Sequence, residues 1–208
     1  MQQGTQETSR GAGIIHWACW YDLLGTLLPF GRENRNQLLE LAAPLPGENA
    51  LDVGCGPGTL TLSLKSRVGA GKVFGIDPSP EMIAVARKKA AKARAGVDFR
   101  VGGVEALPLP DSFFDLVTSA MMFHHVPGAL KRTGAAEIRR VLKPGGRFLA
   151  LDFAVQVHSA LDHLLAILGR ARGQSTVAEL TPLLKEAGFR EVEAIPARDK
   201  NFTFLRAR

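Results

Sequence analysis

A chain of 208 residues with 46% hydrophobic and 22% charged side chains can bury the core of one domain and still carry an ordinary surface. Its net charge of +6 and pI near 9.7 would attract acidic partners, but the basic clusters (Lys88, Lys89, Lys92, Arg94 and Arg198, Lys200, Arg206, Arg208) have no interleaved aromatics, so a solvated basic surface is expected rather than a nucleic-acid interface. Two cysteines, Cys19 and Cys55, offer neither a disulfide framework nor metal-ligand spacing, and no run reaches the roughly 18 apolar residues of a spanning helix; a protein of the reducing cytoplasm is the expectation.

Residues 1–13 are polar and small, and are expected to form a disordered tail. From Ile14 the pattern is helical. Trp17, Trp20, Tyr21, Leu24, Leu27 and Leu28 share one stripe, interrupted by His16 and Asp22 and broken at Pro29 and Gly31. A second stripe over 32–43 runs through Leu38, Leu39, Leu41 and Ala42. Residues 14–46 thus read as a helical arm that packs outside a sheet or lies over a ligand mouth.

The next stretch is Leu51-Asp52-Val53-Gly54-Cys55-Gly56-Pro57-Gly58. An apolar run enters three glycines at alternate positions, and a helical pattern follows. That predicts strand 49–53, a tight turn and helix 58–68, with backbone N–H groups open to a polar ligand. A second strand, 72–76, ends at Asp77, 21 residues after Gly56. An acid there is placed to accept from ribose hydroxyls. Helix 80–94 starts with Ser79 as N-cap and Pro80 in its first turn, and Gly96 lies past its end. Strands at Val97–Val101 and Phe114–Ser119 follow, then helix 128–142, the stop Lys143-Pro144-Gly145-Gly146, and strand 147–152. Residues 155–172 read as an inserted cap helix and 176–187 as another helix. Strands 190–195 and 201–206 close the chain as an antiparallel hairpin. The fold class is α/β: a Rossmann-like, mostly parallel seven-stranded sheet with an antiparallel last strand, in three α/β/α layers.

At this point the sequence resembles the class I S-adenosylmethionine-dependent methyltransferases. Four motifs carry the resemblance: Leu51-Asp-Val-Gly-Cys-Gly-Pro-Gly58, Gly75-Ile-Asp-Pro-Ser-Pro-Glu-Met82, Glu105-Ala-Leu-Pro-Leu-Pro-Asp-Ser-Phe-Phe-Asp115 and Arg140-Val-Leu-Lys-Pro-Gly-Gly-Arg-Phe-Leu149. The last two resemble the group that contains the ubiquinone- and menaquinone-biosynthesis enzymes. The resemblance implies S-adenosylmethionine as cofactor and S-adenosylhomocysteine as product. Gly54, Cys55 and Gly56 would pass under the methionine part. Asp52 would brace that loop or reach the ammonium through water. Asp77 would take both ribose hydroxyls. Pro78 and Met82 would flank the adenine, Gly103 and Val104 would lie at its edge, and Ala120 would offer backbone to the amino-acid end. Tyr21 resembles a tyrosine that closes over the cofactor.

The chain departs from the family at Gly102-Gly103-Val104-Glu105, where relatives usually carry Gly-Asp-Ala-Glu. The aspartate that would accept from the adenine amine is a glycine, with Asp98 and Glu105 as candidate substitutes. Quinone-specific relatives carry Arg-Asn where this chain has His124-His125, so no quinone is assigned.

Methyl transfer needs an aligned nucleophile, dry surroundings, and a base when the nucleophile arrives protonated. His124 and His125 follow the fourth strand, at the carboxyl edge where open α/β sheets bind ligands, and are the candidate catalytic bases. His158 and His163 lie in the cap helix. The arm, residues 121–125 and the cap helix are apolar, which suits a small, partly hydrophobic acceptor and leaves peripheral membrane contact open. No metal site is expected. Three alternatives carry different signals. A nicotinamide oxidoreductase would show Gly-x-Gly-x-x-Gly. A nucleic-acid methyltransferase acting on base amines would show Pro-Pro-aromatic after the fourth strand. A non-enzymatic scaffold of this fold would bind the cofactor weakly or not at all.

Overall fold

The computed structural model describes residues 29–153, 177–199 and 202–208. The tail 1–13, the arm before Pro29, the cap helix 155–172 and therefore Cys19, Tyr21, His158 and His163 lie outside the described residues. In chain order the elements are α1 (Pro29–Ala42), β1 (Ala50–Val53), α2 (Thr59–Val68), β2 (Val73–Asp77), α3 (Pro80–Ala93), β3 (Val97–Val101), β4 (Phe114–Ala120), a 3-10 turn (Phe123–His125), α4 (Gly128–Val141), β5 (Leu142–Phe153), α5 (Val177–Glu186), β6 (Val192–Pro196) and β7 (Phe202–Ala207).

They form one seven-stranded sheet in the order β3-β2-β1-β4-β5-β7-β6. The first five strands of that order run parallel, and β7 runs antiparallel to both β5 and β6. This is the expected mostly parallel sheet closed by a hairpin. The chain leaves β1 toward β2 on one side and returns through β4 on the other. The crevice at the carboxyl ends of β1 and β4 is therefore the topological switch point, where such sheets bind ligands.

Alternation along the strands builds the layers. Leu51, Val53, Val117, Phe148 and Ala150 face α4 and α5 through Ala135, Ile138, Leu180 and Leu184. Ala50, Val73, Leu116, Leu149 and Phe204 face α1 and α2 through Leu38, Leu39, Leu60 and Leu64. Ile83, Ala86 and Ala90 of α3 pack on Phe99, which covers the bare position at Gly75. Ser79 caps α3 as expected, its hydroxyl accepting from the Met82 N–H at 3.2 Å. The left-handed residue that ends this helix is Arg94, at φ 50°, and not Gly96. Strand β5 starts at Leu142, earlier than expected. The segment Lys143–Gly146 bulges out of the pairing between Phe114↔Leu142 and Leu116↔Arg147, with Gly145 at φ 80°. Among the described residues no helix is long and apolar enough to cross a membrane.

Two polar clusters hold this frame. The first is Asp52, fully buried in β1. Its carboxylate accepts from the Thr61 hydroxyl of α2 at 2.7 Å and from the Thr118 hydroxyl of β4 at 3.1 Å. The second joins the third and fourth sequence motifs. Arg140 donates to the carbonyls of Leu107 and Leu109 at 3.0 and 2.9 Å and to Asp111 and Glu137. Lys143 donates to Asp115 at 2.7 Å, and Asp115 accepts from the Asn49 N–H at 2.8 Å. The loop between β3 and β4 is thus clamped to the end of α4.

The Arg140 fork spans several acceptors at once, which an ammonium cannot do. Arg140→Ala is expected to destabilise the fold by about 2 kcal/mol, and Arg140→Lys to recover little of that, both read as Tm. A Tm unchanged in both would contradict the clamp. Burial pushes the Asp52 carboxyl up to about 7, against the pull of its two threonine donors and with Asp77 adding to the rise. The folded carboxyl holds its proton more tightly than the unfolded one. Its contribution to stability is complete below about pH 4 and is lost as pH rises to about 7. Between pH 5 and 8 the parent should therefore lose on the order of 2 kcal/mol relative to Asp52→Asn. Parallel Tm profiles would count against a buried carboxyl that must charge.

Candidate functional site

The turn after β1 is hung from β2. The N–H groups of Gly54 and Cys55 both donate to the Ile76 carbonyl, at 2.8 and 3.0 Å, and the Gly58 N–H donates to the Cys55 carbonyl at 3.0 Å. Gly54, Gly56 and Gly58 take φ of 71°, 50° and 79°, a region side-chain-bearing residues rarely enter. The three have different neighbours. A Cβ at Gly58 would meet Phe99 and Ala86 at 2.8 and 2.9 Å, so this glycine lets the turn press onto the core. A Cβ at Gly54 would overlap the Met122 side chain, which crosses above it. Gly56 alone of the three has open space within 4 Å of that position. Cys55 is buried, and burial raises its thiol well above the usual range, with Asp52 and Asp77 adding to the rise.

Asp77 closes the loop from the tip of β2. One carboxylate oxygen accepts from the Gly56 N–H at 2.8 Å and the other from the Ser79 N–H at 2.9 Å. Burial raises its pKa, although both N–H donors pull the other way. A carboxylate has about four acceptor sites. Each Asp77 oxygen therefore keeps one after these bonds, which matches the two O–H donors of a vicinal diol. Pro78 is exposed and Met82 half-buried beside it. The Gly102 N–H donates to the Asp77 carbonyl at 3.1 Å, which draws the end of β3 against the same tip. Gly103 is half-buried there. Val104 is buried in the core, 3.0 Å from where a Cβ of Gly134 would stand, so toward a ligand it can offer backbone only.

On the other side of the switch point, Ala120 ends β4 half-buried, and Met121 takes φ 57° with its N–H on the Leu151 carbonyl at 2.8 Å. That left-handed step turns the chain so that Met122 lies over Gly54 and Phe123 enters the core. His124 follows, nine-tenths buried. Its Nδ1 lies 2.9 Å from one oxygen of Asp152, and its backbone N–H donates to the other at 3.2 Å. Asp152 stands near the carboxyl end of β5 and is 2% exposed. With Nδ1–H on the carboxylate, the neutral ring carries its lone pair on Nε2. His125 is exposed, with its ring centroid 3.8 Å from that of His124. Its pKa is lowered by burial of part of the ring and by the neighbouring His124, against the pull of Asp152. The two histidines so differ in kind: one is fixed by a carboxylate, the other lies on the rim.

Asp152 is a candidate site residue that sequence reasoning missed. Its signal was an acid at the carboxyl end of an otherwise apolar strand, Phe148-Leu149-Ala150-Leu151. Ser119 was missed too. It is 1% exposed, and its hydroxyl has no hydrogen-bond partner among the described residues, an orphan donor beside the switch point. Among the described residues there is no cluster of side chains able to hold a metal. The edge thus offers diol acceptors at Asp77, an open backbone face at Gly56, a buried unpaired hydroxyl at Ser119 and an oriented imidazole at His124. Those residues fit a nucleoside-bearing cofactor with an acceptor molecule beside it.

Known proteins resemble this chain over the same elements. Residues 50–146 match the family described as the methyltransferase domain. The chain is 41% identical over 135 residues to demethylmenaquinone methyltransferase of Thermus thermophilus, covering 64% of this chain and 60% of that protein. It is 37% identical over 170 residues to arsenite methyltransferase of Halobacterium salinarum, covering 79% of this chain and 42% of that protein. The chain thus spans about half the length of these curated relatives. Among solved structures it is similar to phosphoethanolamine N-methyltransferase 2 of Haemonchus contortus, in complex with phosphomonomethylethanolamine and S-adenosylhomocysteine. The TM-score there is 0.76 at 20% identity, with 91% of this chain and 56% of that chain covered, a likeness of fold. From the glycine turn to the bulge of β5, the chain matches the methyltransferase domain family.

Proposed function

We propose that this protein is a cytoplasmic enzyme that transfers a methyl group from S-adenosylmethionine to a small, partly hydrophobic acceptor. The observation that carries the reading is the pairing, across one switch point, of the Asp77–Gly56 cradle with the Asp152-oriented His124. The relatives support the cofactor, since a structural neighbour was solved with S-adenosylhomocysteine. They do not agree on an acceptor, since one is named for demethylmenaquinone and another for arsenite. No observation favours a non-enzymatic scaffold.

When bound, the cofactor supplies an electrophilic methyl on a sulfonium. Asp77 binds the ribose diol and fixes the cofactor's depth in the crevice. The open face of Gly56 lets the ligand approach the backbone. Met122, half-buried over Gly54, lines the acceptor side with apolar surface and excludes water. His124 would take the proton of a protic acceptor on Nε2, as the acceptor atom bonds to the methyl carbon and the carbon–sulfur bond breaks to leave the neutral thioether. Asp152 holds the ring in the tautomer this requires and steadies the imidazolium that results. Positioned bases of this kind contribute about 10²- to 10⁴-fold to rate.

The test is calorimetry with S-adenosylmethionine, S-adenosylhomocysteine and, as control, NADH, followed by labelled-methyl transfer to a panel of phenols, thiols and amines. Micromolar binding of the first two but not of NADH is expected. A folded protein that binds neither would remove the cofactor reading. His124→Ala should keep S-adenosylhomocysteine affinity within about twofold while cutting methyl transfer at least a hundredfold, and Asp152→Asn should fall between it and the parent. Full transfer activity in His124→Ala would show that the dyad only shapes the turn.

A further inference from the structure

We propose that Glu105 reads the base of the cofactor: its carboxylate accepts from the exocyclic amino group of adenine and so selects adenine over a 6-oxo purine. The inference rests on the cofactor reading above and adds a specificity-determining residue to it.

Four observations converge on this residue. The first is place. The Gly102 N–H bonds to the Asp77 carbonyl, so residues 102–105 adjoin the tip that would hold the ribose. A base attached to that sugar has the end of β3 as its neighbour on the side away from the glycine turn, because β3 lies next to β2 at the sheet edge.

The second is the conformation of Glu105. The Ala106 N–H donates to the Gly103 carbonyl at 3.3 Å, closing a turn over 103–106. The Glu105 side chain folds back over the start of that turn. A Cβ built on Gly103 would overlap both of its carboxylate oxygens. Gly103 is absent from the residues of left-handed φ, so its backbone does not demand glycine; with glycine there, the Glu105 carboxylate occupies the space a Cβ would take. An acid at 105 thus presents its oxygens where a side chain at 103 would begin.

The third is that this carboxylate is half-buried yet has no hydrogen-bond or ion-pair partner among the described residues. An acceptor-only group held in that state has unused capacity for a donor. Asp98, the other acid in this region, is already committed. It pairs with Arg100 at 2.7 Å and sits opposite Phe74, in the body of the sheet rather than at its carboxyl edge.

The fourth is rigidity. Val104 anchors the turn in the core, and the Leu107 N–H donates to Glu137 at 2.8 Å within the Arg140 clamp. The carboxylate therefore stands on a fixed backbone, as a specificity contact requires. Adenine offers an amino donor at this edge. A 6-oxo purine offers an acceptor, which a carboxylate repels.

Calorimetry of the full chain with S-adenosylhomocysteine and S-inosylhomocysteine tests this. The parent should prefer the adenine ligand by about tenfold or more. Glu105→Ala should lose about tenfold for the adenine ligand and little for the inosine one, erasing the preference. Gly103→Asp in the Glu105→Ala background should restore it, since the space is then open to the new carboxylate. Equal affinity of the parent for the two ligands overturns the proposal without any variant, as does a preference that survives in Glu105→Ala or an equal loss of both ligands there. A parent that binds neither ligand instead removes the cofactor reading on which this one stands.

Discussion

The rest of this molecule depends on how the chain leaves β1. It must reverse within five residues and enter α2 without losing contact with the sheet. Only left-handed backbone does this, and the strand beside it must hold the result in place. The Ile76 carbonyl takes two N–H groups of the turn, and Asp77 takes a third from Gly56. Strand β2 therefore shapes the loop and, through the same carboxylate, presents acceptors to a ligand. Under the proposed function, structure and binding share one side chain, so substitutions at Asp77 would act on both.

Burying carboxylates near one another is unfavourable, and the fold accepts that cost at the switch point. Asp52 has two hydroxyl donors and Asp77 two backbone N–H donors, yet burial keeps both above their ordinary range. Neither has an ion-pair partner among the described residues. A cation there would neutralise the site and fill its acceptors. The hydroxyl and amide donors leave lone pairs available, and this is what a diol needs. The other end of the crevice follows a different rule. His124 is fixed by an ionisable partner, which sets the tautomer of its ring.

Much of this was legible in the sequence, where the signal was local. Three glycines at alternate positions demand unusual φ, and an acid at the next strand's tip is a pattern within one βαβ unit. The seven strands and the closing hairpin follow from apolar runs and their spacing. What escaped was set by pairing across the sheet. Asp152 and His124 are 28 residues apart and meet only because β4 and β5 are neighbours with Ala120 opposite Leu151. The left-handed Arg94 was equally hidden, since a glycine two residues later gave the expected stop. Asp98 and Glu105 were equivalent as letters. A fold-back of one turn and an ion pair on the other strand separate them.

The central claim is that the free acceptor sites of Asp77 hold a ribose diol. The most direct measurement compares the affinity of the unaltered protein for S-adenosylhomocysteine with that for its 2′-deoxy and 3′-deoxy analogues. A hydrogen bond to a charged acceptor contributes about 1.5–3 kcal/mol, so each analogue should bind about ten- to a hundredfold more weakly. If all three ligands bind equally, Asp77 only pins the loop, and the account of the site is wrong.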